Sequence, residues 1–422
     1  MLAALSGTAA RAQGFDWQAH KGETINFLTE NHPWSNQVVK DIPAFEKLTG
    51  ITVRVDTFQE QQMRQRLVTM LQSKSPGVDV FMSLKSIEGR LYARAGWYAD
   101  LTPLKAAPGA TDPAYDFADL SHALVAGETF ANRLDGIPLN IEGPIVFYRK
   151  DVFAKCGIAP PTSLDALAAA AAKIKTCEPA MIPWTTRGLK PALPYTFSNV
   201  LHNFGTDYFD AAGKPNLCSP AGEKAIGWYA DMLRRFGPPG AVNDSFLQIS
   251  QLYGQGRAAM AFESSNEFGD IMKFPARQKD TGVMLLPPGP GGSKPTVIGW
   301  GLSISAFSRH QAAAWLFLQW ATSKEMQAKL ALGGIAPPRA SVADGAAYQA
   351  WLRELPVRQD WAHLLNVIGS TGTSEVGPPL VRQPQAREFI GDAVDKVLLG
   401  QASAHDAACA ADKGLAGMIA AR

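Results

Sequence analysis

Short apolar runs alternate with amphipathic stretches along the first part of the chain. The runs predict strands at residues 24–29, 51–55 and 78–82, and the stretches predict helices at 38–48 and 59–73, with a loop at 30–37. Gly50 stands where the first helix should end, because glycine readily takes the left-handed conformation after a helix. This βαβαβ order requires a parallel sheet with helices on both faces, and such sheets bind ligands at the carboxyl ends of their strands. We therefore expect binding residues in the loops 31–34, with His32 and Trp34, and 83–85, with Lys85.

A second series of strands and helices begins with the apolar run 145–148. A helix follows, with Thr162 as the expected cap, Asp165 at its third position and an end near residue 175. Segments rich in proline and glycine occur at 136–144, 287–295 and 333–338, and the last two bracket a predicted strand (299–305) and helix (310–321). Three such segments predict a chain that crosses three times between two α/β lobes.

Length and charge restrict the class of protein. A chain of 422 residues should form two domains, since a single core rarely grows beyond about 250–300 residues. The formal net charge is +2 and the basic residues are scattered, which excludes an electrostatic footprint for nucleic acid. Outside the N-terminus no apolar run approaches the roughly 18 residues of a membrane span.

The first residues resemble the second half of a secretion signal. A segment of small and apolar residues leads to Ala10-Arg11-Ala12, the A-x-A pattern of signal peptidase, and polar residues follow. No positively charged region precedes it, and an ordinary buried N-terminal segment is the alternative. We predict a signal remnant at 1–12, cleavage near Gln13 and a periplasmic protein, with no cysteine there to carry a lipid.

The four cysteines allow three disulfide connectivities. Cys156 and Cys177 flank one predicted helix and are the preferred pair. Cys218 and Cys409 form a second candidate pair, with buried free thiols as an equal alternative.

Several segments, in order, resemble one known family. They are Gly136-Ile137-Pro138, Tyr148-Arg149-Lys150-Asp151-Val152-Phe153, Pro161-Thr162-Ser163-Leu164-Asp165, Gly213-Lys214-Pro215, Trp228-Tyr229, Phe236-Gly237-Pro238-Pro239-Gly240-Ala241, Gly254-Gln255-Gly256-Arg257-Ala258-Ala259-Met260-Ala261, Gly299-Trp300-Gly301 and Trp315-Leu316-Phe317-Leu318. Together they resemble the extracellular solute-binding proteins, family 1, that serve ABC sugar importers.

The resemblance implies a fold and a function. It implies the two-lobed fold of periplasmic binding proteins, each lobe a mainly parallel sheet flanked by helices. The lobes would comprise 22–139 with 296–336, and 140–295 with 337–422. It also implies a monomeric receptor that closes around a sugar or polyol, uses no cofactor and delivers its ligand to the permease subunits of an ABC importer.

Aromatic side chains in the expected cleft loops suit this ligand class. Sugar rings stack on flat aromatic faces, and hydroxyls pair with planar polar groups. The aromatic candidates are Trp34, Trp184, Tyr195 and Trp300, and Gly301 beside Trp300 would allow close approach of a ligand. Each could instead belong to the core or to a contact between the lobes.

Polar candidates complete the expected site. Glu142 stands where maltose-binding proteins, similar in sequence here, place an acidic residue that faces the ligand; a hinge role is the alternative. Glu263 and Asn266 occupy a segment where many relatives carry a tryptophan, which points to a smaller or more polar ligand. Lys85, Arg187, Arg339 and Arg382 are either surface charges or, where two converge, a site for an anionic sugar derivative.

An enzyme is the competing hypothesis. The chain lacks H-E-x-x-H, C-x-x-C, G-x-S-x-G, S-x-x-K and phosphate-loop motifs, and its seven histidines are isolated in sequence, so no metal site is expected. Glu142 and Glu263 are the pair that could serve a carbohydrate-active hydrolase, because such enzymes use two carboxylates across a cleft.

Overall fold

The strands were located in a computed structural model that describes residues 14–420. They are β1 (Thr24–Glu30), β2 (Thr52–Phe58), β3 (Val80–Ser83), β4 (Thr129–Phe130), β5 (Arg133–Leu134), β6 (Ile137–Pro138), β7 (Pro144–Arg149), β8 (Thr185–Thr186), β9 (Met260–Ser264), β10 (Thr281–Met284) and β11 (Gly301–Ile304). The expected signal remnant at 1–12 lies outside the described residues.

Helices surround these strands. They are α1 (Pro33–Thr49), α2 (Glu60–Gln72), α3 (Arg90–Arg94), α4 (Leu101–Ala106), α5 (His122–Gly127), α6 (Lys150–Lys155), α7 (Leu164–Cys177), α8 (Pro194–Asn203), α9 (Pro220–Phe236), α10 (Phe246–Gly254), α11 (Phe268–Met272), α12 (Pro275–Asp280), α13 (Gln311–Ala321), α14 (Lys324–Leu332), α15 (Ala340–Ala343), α16 (Ala346–Arg353), α17 (Pro356–Thr371), α18 (Gln383–Leu398) and α19 (Ala404–Ala420). None of the helices within residues 14–420 is both long and apolar enough to cross a membrane.

Two sheets form the centres of two lobes. The first has the order β2-β1-β3-β11-β6, and the second has the order β10-β7-β9-β8. β1 pairs in parallel with β2 and β3, as the βαβαβ pattern predicts, whereas β11 runs antiparallel to both of its neighbours. Strand β11 comes from a late part of the chain, which therefore returns to the first sheet after building the second.

The second sheet differs from the prediction of mainly parallel sheets in both lobes. β7 is antiparallel to both β9 and β10, and only the β8–β9 pair is parallel. The reason is connectivity: β9 follows a long helical excursion and β10 a short one, and both return beside β7 from the opposite direction. Buried apolar side chains cover both faces of this sheet in two clusters.

The predicted loop at 30–37 is wrong from residue 33 onward. Pro33 occupies the first turn of α1, where its missing N–H has no cost. His32 caps the helix by accepting the Trp34 N–H at Nδ1. The Ser35 hydroxyl oxygen in turn accepts the backbone N–H of His32. The helix therefore begins five residues earlier than predicted and places Trp34 in the core.

Helix α7 also begins one residue later than predicted. The Ser163 hydroxyl, not Thr162, accepts the Ala166 N–H at the start of the helix. The helix runs to Cys177 rather than to residue 175.

Candidate functional site

Two segments of chain pair where the lobes meet. Residues 139–142 and 297–300 lie antiparallel, with Glu142 N–H donating to the Ile298 carbonyl at 2.9 Å and the Ile298 N–H returning a bond at 2.8 Å. We call this pair the crossing ribbon. Alternate residues of a paired segment point to opposite sides, so Glu142 and Trp300 face one side, and Ile141 and Gly299 face the other.

A small cavity lies on the Glu142 side of the ribbon, between the two lobes. Its volume is about 20 Å³, and we call it the cleft cavity. Its lining residues are Glu30, His32, Glu60, Leu84, Ile87, Glu142, Arg187, Tyr195, Phe246, Ser264, Glu267, Ile298, Trp300 and Arg387. The cavity begins where β1 ends, as expected for a ligand site at the carboxyl edge of a parallel sheet.

An arginine covers the aromatic ring that the first-lobe side contributes. The guanidinium carbon of Arg64 lies 5.0 Å from the ring centre of Trp300. Arg64 also binds two carboxylates, Glu60 at 3.0 Å and Glu88 at a shorter distance. Burial raises the pKa of Glu60, but Arg64 and Arg187 outweigh it and hold the pKa below its ordinary value.

The second-lobe side repeats this arrangement. Arg187 lies with its guanidinium carbon 4.2 Å from the ring centre of Tyr195. Its Nε donates to both carboxylate oxygens of Glu263, at 2.9 and 3.0 Å. Both partners of this ion pair are buried. One buried carboxylate therefore holds the guanidinium over the aromatic ring.

His32 and Glu142 occupy the middle of the cleft. Burial lowers the pKa of His32 to about 3, so the ring is neutral at pH 7. Its Nδ1 accepts the Trp34 N–H, and its Nε2 lies 3.0 Å from the amide nitrogen of Asn266 and 4.0 Å from a Glu142 oxygen. Burial raises the pKa of Glu142 to about 7, against the opposing effect of the Ser264 hydroxyl that donates to it at 2.9 Å.

Several lining residues were not predicted from the sequence, and Arg387 and Glu30 are the two that most affect the charge of the cavity. Arg387, on α18, donates to the backbone carbonyls of Pro191 at 3.0 Å, Ala192 at 3.4 Å and Val376, and it has only such backbone partners within residues 14–420. Burial lowers its pKa to about 10. Burial, reinforced by Glu60, raises the pKa of Glu30 well above its ordinary value despite the opposing charge of Arg64.

The structure brings more than half of the predicted site residues together. The cleft cavity is lined by His32, Glu142, Arg187, Tyr195 and Trp300, and Glu263 and Asn266 contact lining residues from behind. These seven come from six separate parts of the chain. Their convergence follows from the crossing ribbon and from the carboxyl ends of β1 and β9.

The other predicted site residues lie elsewhere. Trp34 is in the first-lobe core, and Trp184 stacks on Phe262 in the second-lobe core. Lys85 pairs with Glu128 at 2.9 Å. A Cβ on Gly301 would lie 2.0 Å from a Glu128 oxygen, so this glycine makes room for that carboxylate.

Two of the predicted basic residues lie outside the cleft. Arg339 is fully buried and donates to the backbone carbonyls of Thr322 at 2.8 Å and Asp116 at 2.9 Å. Arg382 is exposed and contacts Gln385. Neither converges on Arg187 to form the anion site considered from the sequence.

Both candidate cysteine pairs are bonded in the structure. The Cα atoms of Cys156 and Cys177 are 5.8 Å apart, and those of Cys218 and Cys409 are 4.6 Å apart. The first bond joins α7 to the end of α6. The second fastens the C-terminal helix α19 to the segment before α9.

The fold and site together define a class: a two-lobed ligand-binding receptor with its site between the lobes. The sequence profile described as "Bacterial extracellular solute-binding protein" matches residues 29–328. The chain therefore belongs to the family of bacterial extracellular solute-binding proteins.

Known relatives are similar over most of the chain. An "Erythritol/L-threitol-binding protein" of Mycolicibacterium smegmatis is 29% identical, over 80% of this chain and 75% of its own length. A "Mannitol-binding protein" of Pseudomonas aeruginosa is 26% identical, over 72% and 70%. A solved solute-binding protein of Agrobacterium vitis, with bound D-mannitol, is 26% identical with a TM-score of 0.82, over 94% of this chain and 98% of that one.

Proposed function

We propose that the protein is a periplasmic receptor that captures an uncharged, open-chain polyol between its lobes and delivers it to the permease of an ABC importer. The names of the relatives support the ligand class, because two are polyol-binding proteins and the similar solved structure holds D-mannitol. We assign residues 22–139 with 296–336 to the first lobe and 140–295 with 337–422 to the second. The sequence pattern at 10–12 supports export.

The observation that carries the proposal is that arginines cover the tryptophan and tyrosine rings of the cleft. A pyranose binds through an apolar ring face stacked on an aromatic side chain. Trp300 and Tyr195 already stack with Arg64 and Arg187. An open-chain polyol needs no such platform, since guanidinium groups and carboxyl groups can donate to and accept from its successive hydroxyls.

The charge balance of the cleft favours an uncharged ligand. Arg64 and Arg187 are neutralised by their carboxylate partners. The pKa of Glu142, raised to about 7, keeps a large part of this carboxyl protonated near neutral pH, and burial also raises the pKa of Glu30. A protonated carboxyl both donates and accepts, as a hydroxyl requires.

We further propose that binding proceeds by closure without covalent chemistry. Contacts of one ligand with both lobes shift the population toward the closed form, which the permease would recognise. Against the hydrolase alternative, Glu263 is held by Arg187 and lies behind the cavity wall, so it is poorly placed to act opposite Glu142. The protein would act as a monomer.

A thermal-shift and calorimetric panel tests the proposal. Ligand-stripped protein would be titrated with erythritol, ribitol, D-mannitol, D-glucose and glycerol 3-phosphate. A ligand at 100 times its Kd should stabilise the folded state by about 2.7 kcal/mol. We expect binding of at least one alditol, no binding of glucose, and about tenfold weaker binding in Trp300→Leu, since Arg64 loses its stacking surface.

The matched control is Trp17→Leu, which removes a half-buried tryptophan far from the cleft and should leave affinity unchanged. Binding of glucose in preference to every alditol would overturn the open-chain assignment. Turnover of a glycoside would overturn the receptor assignment.

An anionic polyol derivative is the second candidate, favoured by Arg387. This guanidinium has only backbone partners among the described residues, so its charge could hold a phosphate. In that case glycerol 3-phosphate binds more tightly than any alditol, and Arg387→Met abolishes this preference while retaining alditol binding.

A further inference from the structure

A second, larger cavity lies on the opposite side of the crossing ribbon. Its volume is about 290 Å³, close to the lower limit for small-molecule sites, and we call it the rear cavity. Ile141, Val297 and Gly299 of the ribbon line it, whereas their neighbours Glu142 and Trp300 line the cleft cavity. Of the described residues, only Ile298 lines both.

The walls of the rear cavity come from both lobes. Leu124 and Phe130 line it on the first-lobe side, and Gly369 and Gln383 line it on the side of the C-terminal helices. On α18, Gln383 faces the rear cavity and Arg387, one turn later, faces the cleft cavity. A molecule in the rear cavity would therefore touch the same movable elements as a ligand in the cleft.

The lining combines apolar surface with unused hydrogen-bonding groups. Leu124, Phe130 and Val297 are only half-buried, so their apolar surface is open to the cavity. Gln383 is 1% exposed, yet its Oε1 atom has no hydrogen-bond partner within residues 14–420, and the same holds for the Ser86 hydroxyl. A buried carbonyl oxygen without a donor costs free energy that a hydroxyl would recover.

The two buried charged side chains of the rear cavity, Lys85 and Glu128, pair with each other. Lys85 Nζ lies 2.9 Å from Glu128 and donates to the Ser303 hydroxyl at 2.7 Å. The exposed Arg90 and the oppositely charged Glu375 lie at the rim. A charged molecule would lose its hydration without gaining an unpaired partner inside, so an uncharged one fits better.

We propose that the rear cavity is a second binding site, for a small uncharged alcohol with an apolar body, and that its occupancy is coupled to closure of the cleft. The body packs on Leu124, Phe130 and Val297, and the hydroxyl donates to Gln383 Oε1. The cleft cavity holds about 20 Å³ in the same conformation in which the rear cavity holds about 290 Å³. An occupant that keeps the rear walls apart therefore favours the conformation in which the cleft is closed.

Direct binding is tested without any cleft ligand. Cyclohexanol would be titrated into the full chain while the methyl resonances of Val297 and Ile141 are followed by NMR. We expect saturable shifts, with affinity at least fivefold weaker in Gln383→Met and in Gly127→Leu. No described atom lies within 4 Å of a Cβ on Gly127, which lines the cavity, so leucine there narrows it without a clash.

Gly417→Leu is the matched control, since it also adds a side chain into open space on a helix but far from the cavity. It should bind cyclohexanol as the parent chain does. Gln383→Met keeps the test valid where Gly127→Leu fails to fold. The proposed site is overturned if no saturable shifts appear, or if all the variants bind cyclohexanol with equal affinity. Equal affinity for cyclohexylammonium overturns the uncharged class.

Coupling is tested separately, and this arm rests on the proposed function. The Kd of the best alditol would be measured with and without saturating cyclohexanol. We expect it to fall about fivefold, the lower range of measured couplings, and cyclohexanol to bind tighter by the same factor when alditol is present. An unchanged Kd overturns the coupling. Failure of every alditol to bind overturns the proposed function and leaves the direct titration intact.

Discussion

Each half of the cleft presents an aromatic ring covered by an arginine, but the two arginines are held by different numbers of carboxylates. In the second lobe, Arg187 pairs with Glu263 alone, and Glu263 lies behind the cavity wall. In the first lobe, Arg64 pairs with both Glu60 and Glu88, and Glu60 also lines the cavity.

The difference indicates which half can exchange partners with a ligand. Were Glu263 to turn to a hydroxyl, Arg187 would be left as an unpaired buried charge, which costs several kcal/mol. Glu60 can turn to a ligand while Glu88 still neutralises Arg64. We therefore expect the second-lobe pair to be a fixed part of the wall and the first-lobe network to rearrange on binding.

The largest expected effect comes from breaking the second-lobe pair. Glu263→Ala should lower the free energy of unfolding by about 3–5 kcal/mol, because Arg187 stays buried without its partner. Chemical denaturation at pH 7 measures this. The double variant Arg187→Met with Glu263→Leu should lose much less, since no charge is left alone. A loss of unfolding free energy under 1 kcal/mol in Glu263→Ala would contradict the conclusion that Arg187 and Glu263 form an isolated buried ion pair.

An effect of intermediate size concerns the carboxyl between the two halves. Burial raises the pKa of Glu142 to about 7 from the ordinary 4.5. As far as Glu142 is concerned, the folded chain therefore has its full stability below pH 4.5. The free energy of unfolding falls as pH rises through 7, because burial then opposes the ionisation of Glu142. Glu142→Gln, which keeps an acceptor for Ser264, should be more stable than the parent chain by about 2–3 kcal/mol at pH 8 and nearly equal at pH 4.5.

Denaturation curves between pH 4.5 and 8 provide the measurement. Glu325→Gln, at an exposed position, is the control and should follow the parent chain at every pH. Equal pH dependence in Glu142→Gln and the parent chain would show that another group dominates the titration of the cleft.

The sequence predicted the elements that position the site better than it predicted the residues that fill it. The βαβαβ order and the crossing near Glu142 could be read from local patterns, because they depend on apolar periodicity and on proline and glycine. The direction of β9 and β10 could not be read from the sequence, since a buried apolar strand has the same pattern in either direction. Trp34 was placed in a loop because the early helix start depends on the cap made by His32.

The residues that were missed lie on helices far apart in sequence. Arg64 and Arg387 occupy polar positions of α2 and α18, and such positions usually face solvent. Only the packing of α18 against the first lobe brings Arg387 to the cleft. The spacing of Glu60 and Arg64, one helical turn apart, is a local signal that could have indicated an ion pair, although not its place beside Trp300.

The smallest expected effect on stability comes from the change that distinguishes the two halves of the cleft most directly. Glu60→Gln should cost only about 1 kcal/mol of unfolding free energy, because Glu88 continues to pair with Arg64 and the glutamine oxygen still accepts one bond. Alditol affinity, by contrast, should fall about tenfold, since the neutral amide accepts hydroxyl protons less strongly than a carboxylate. Denaturation and calorimetry on the same variant measure the two quantities. A stability loss as large as that of Glu263→Ala, with affinity unchanged, would mean that both arginines are fixed parts of the wall and that the ligand binds elsewhere in the cleft.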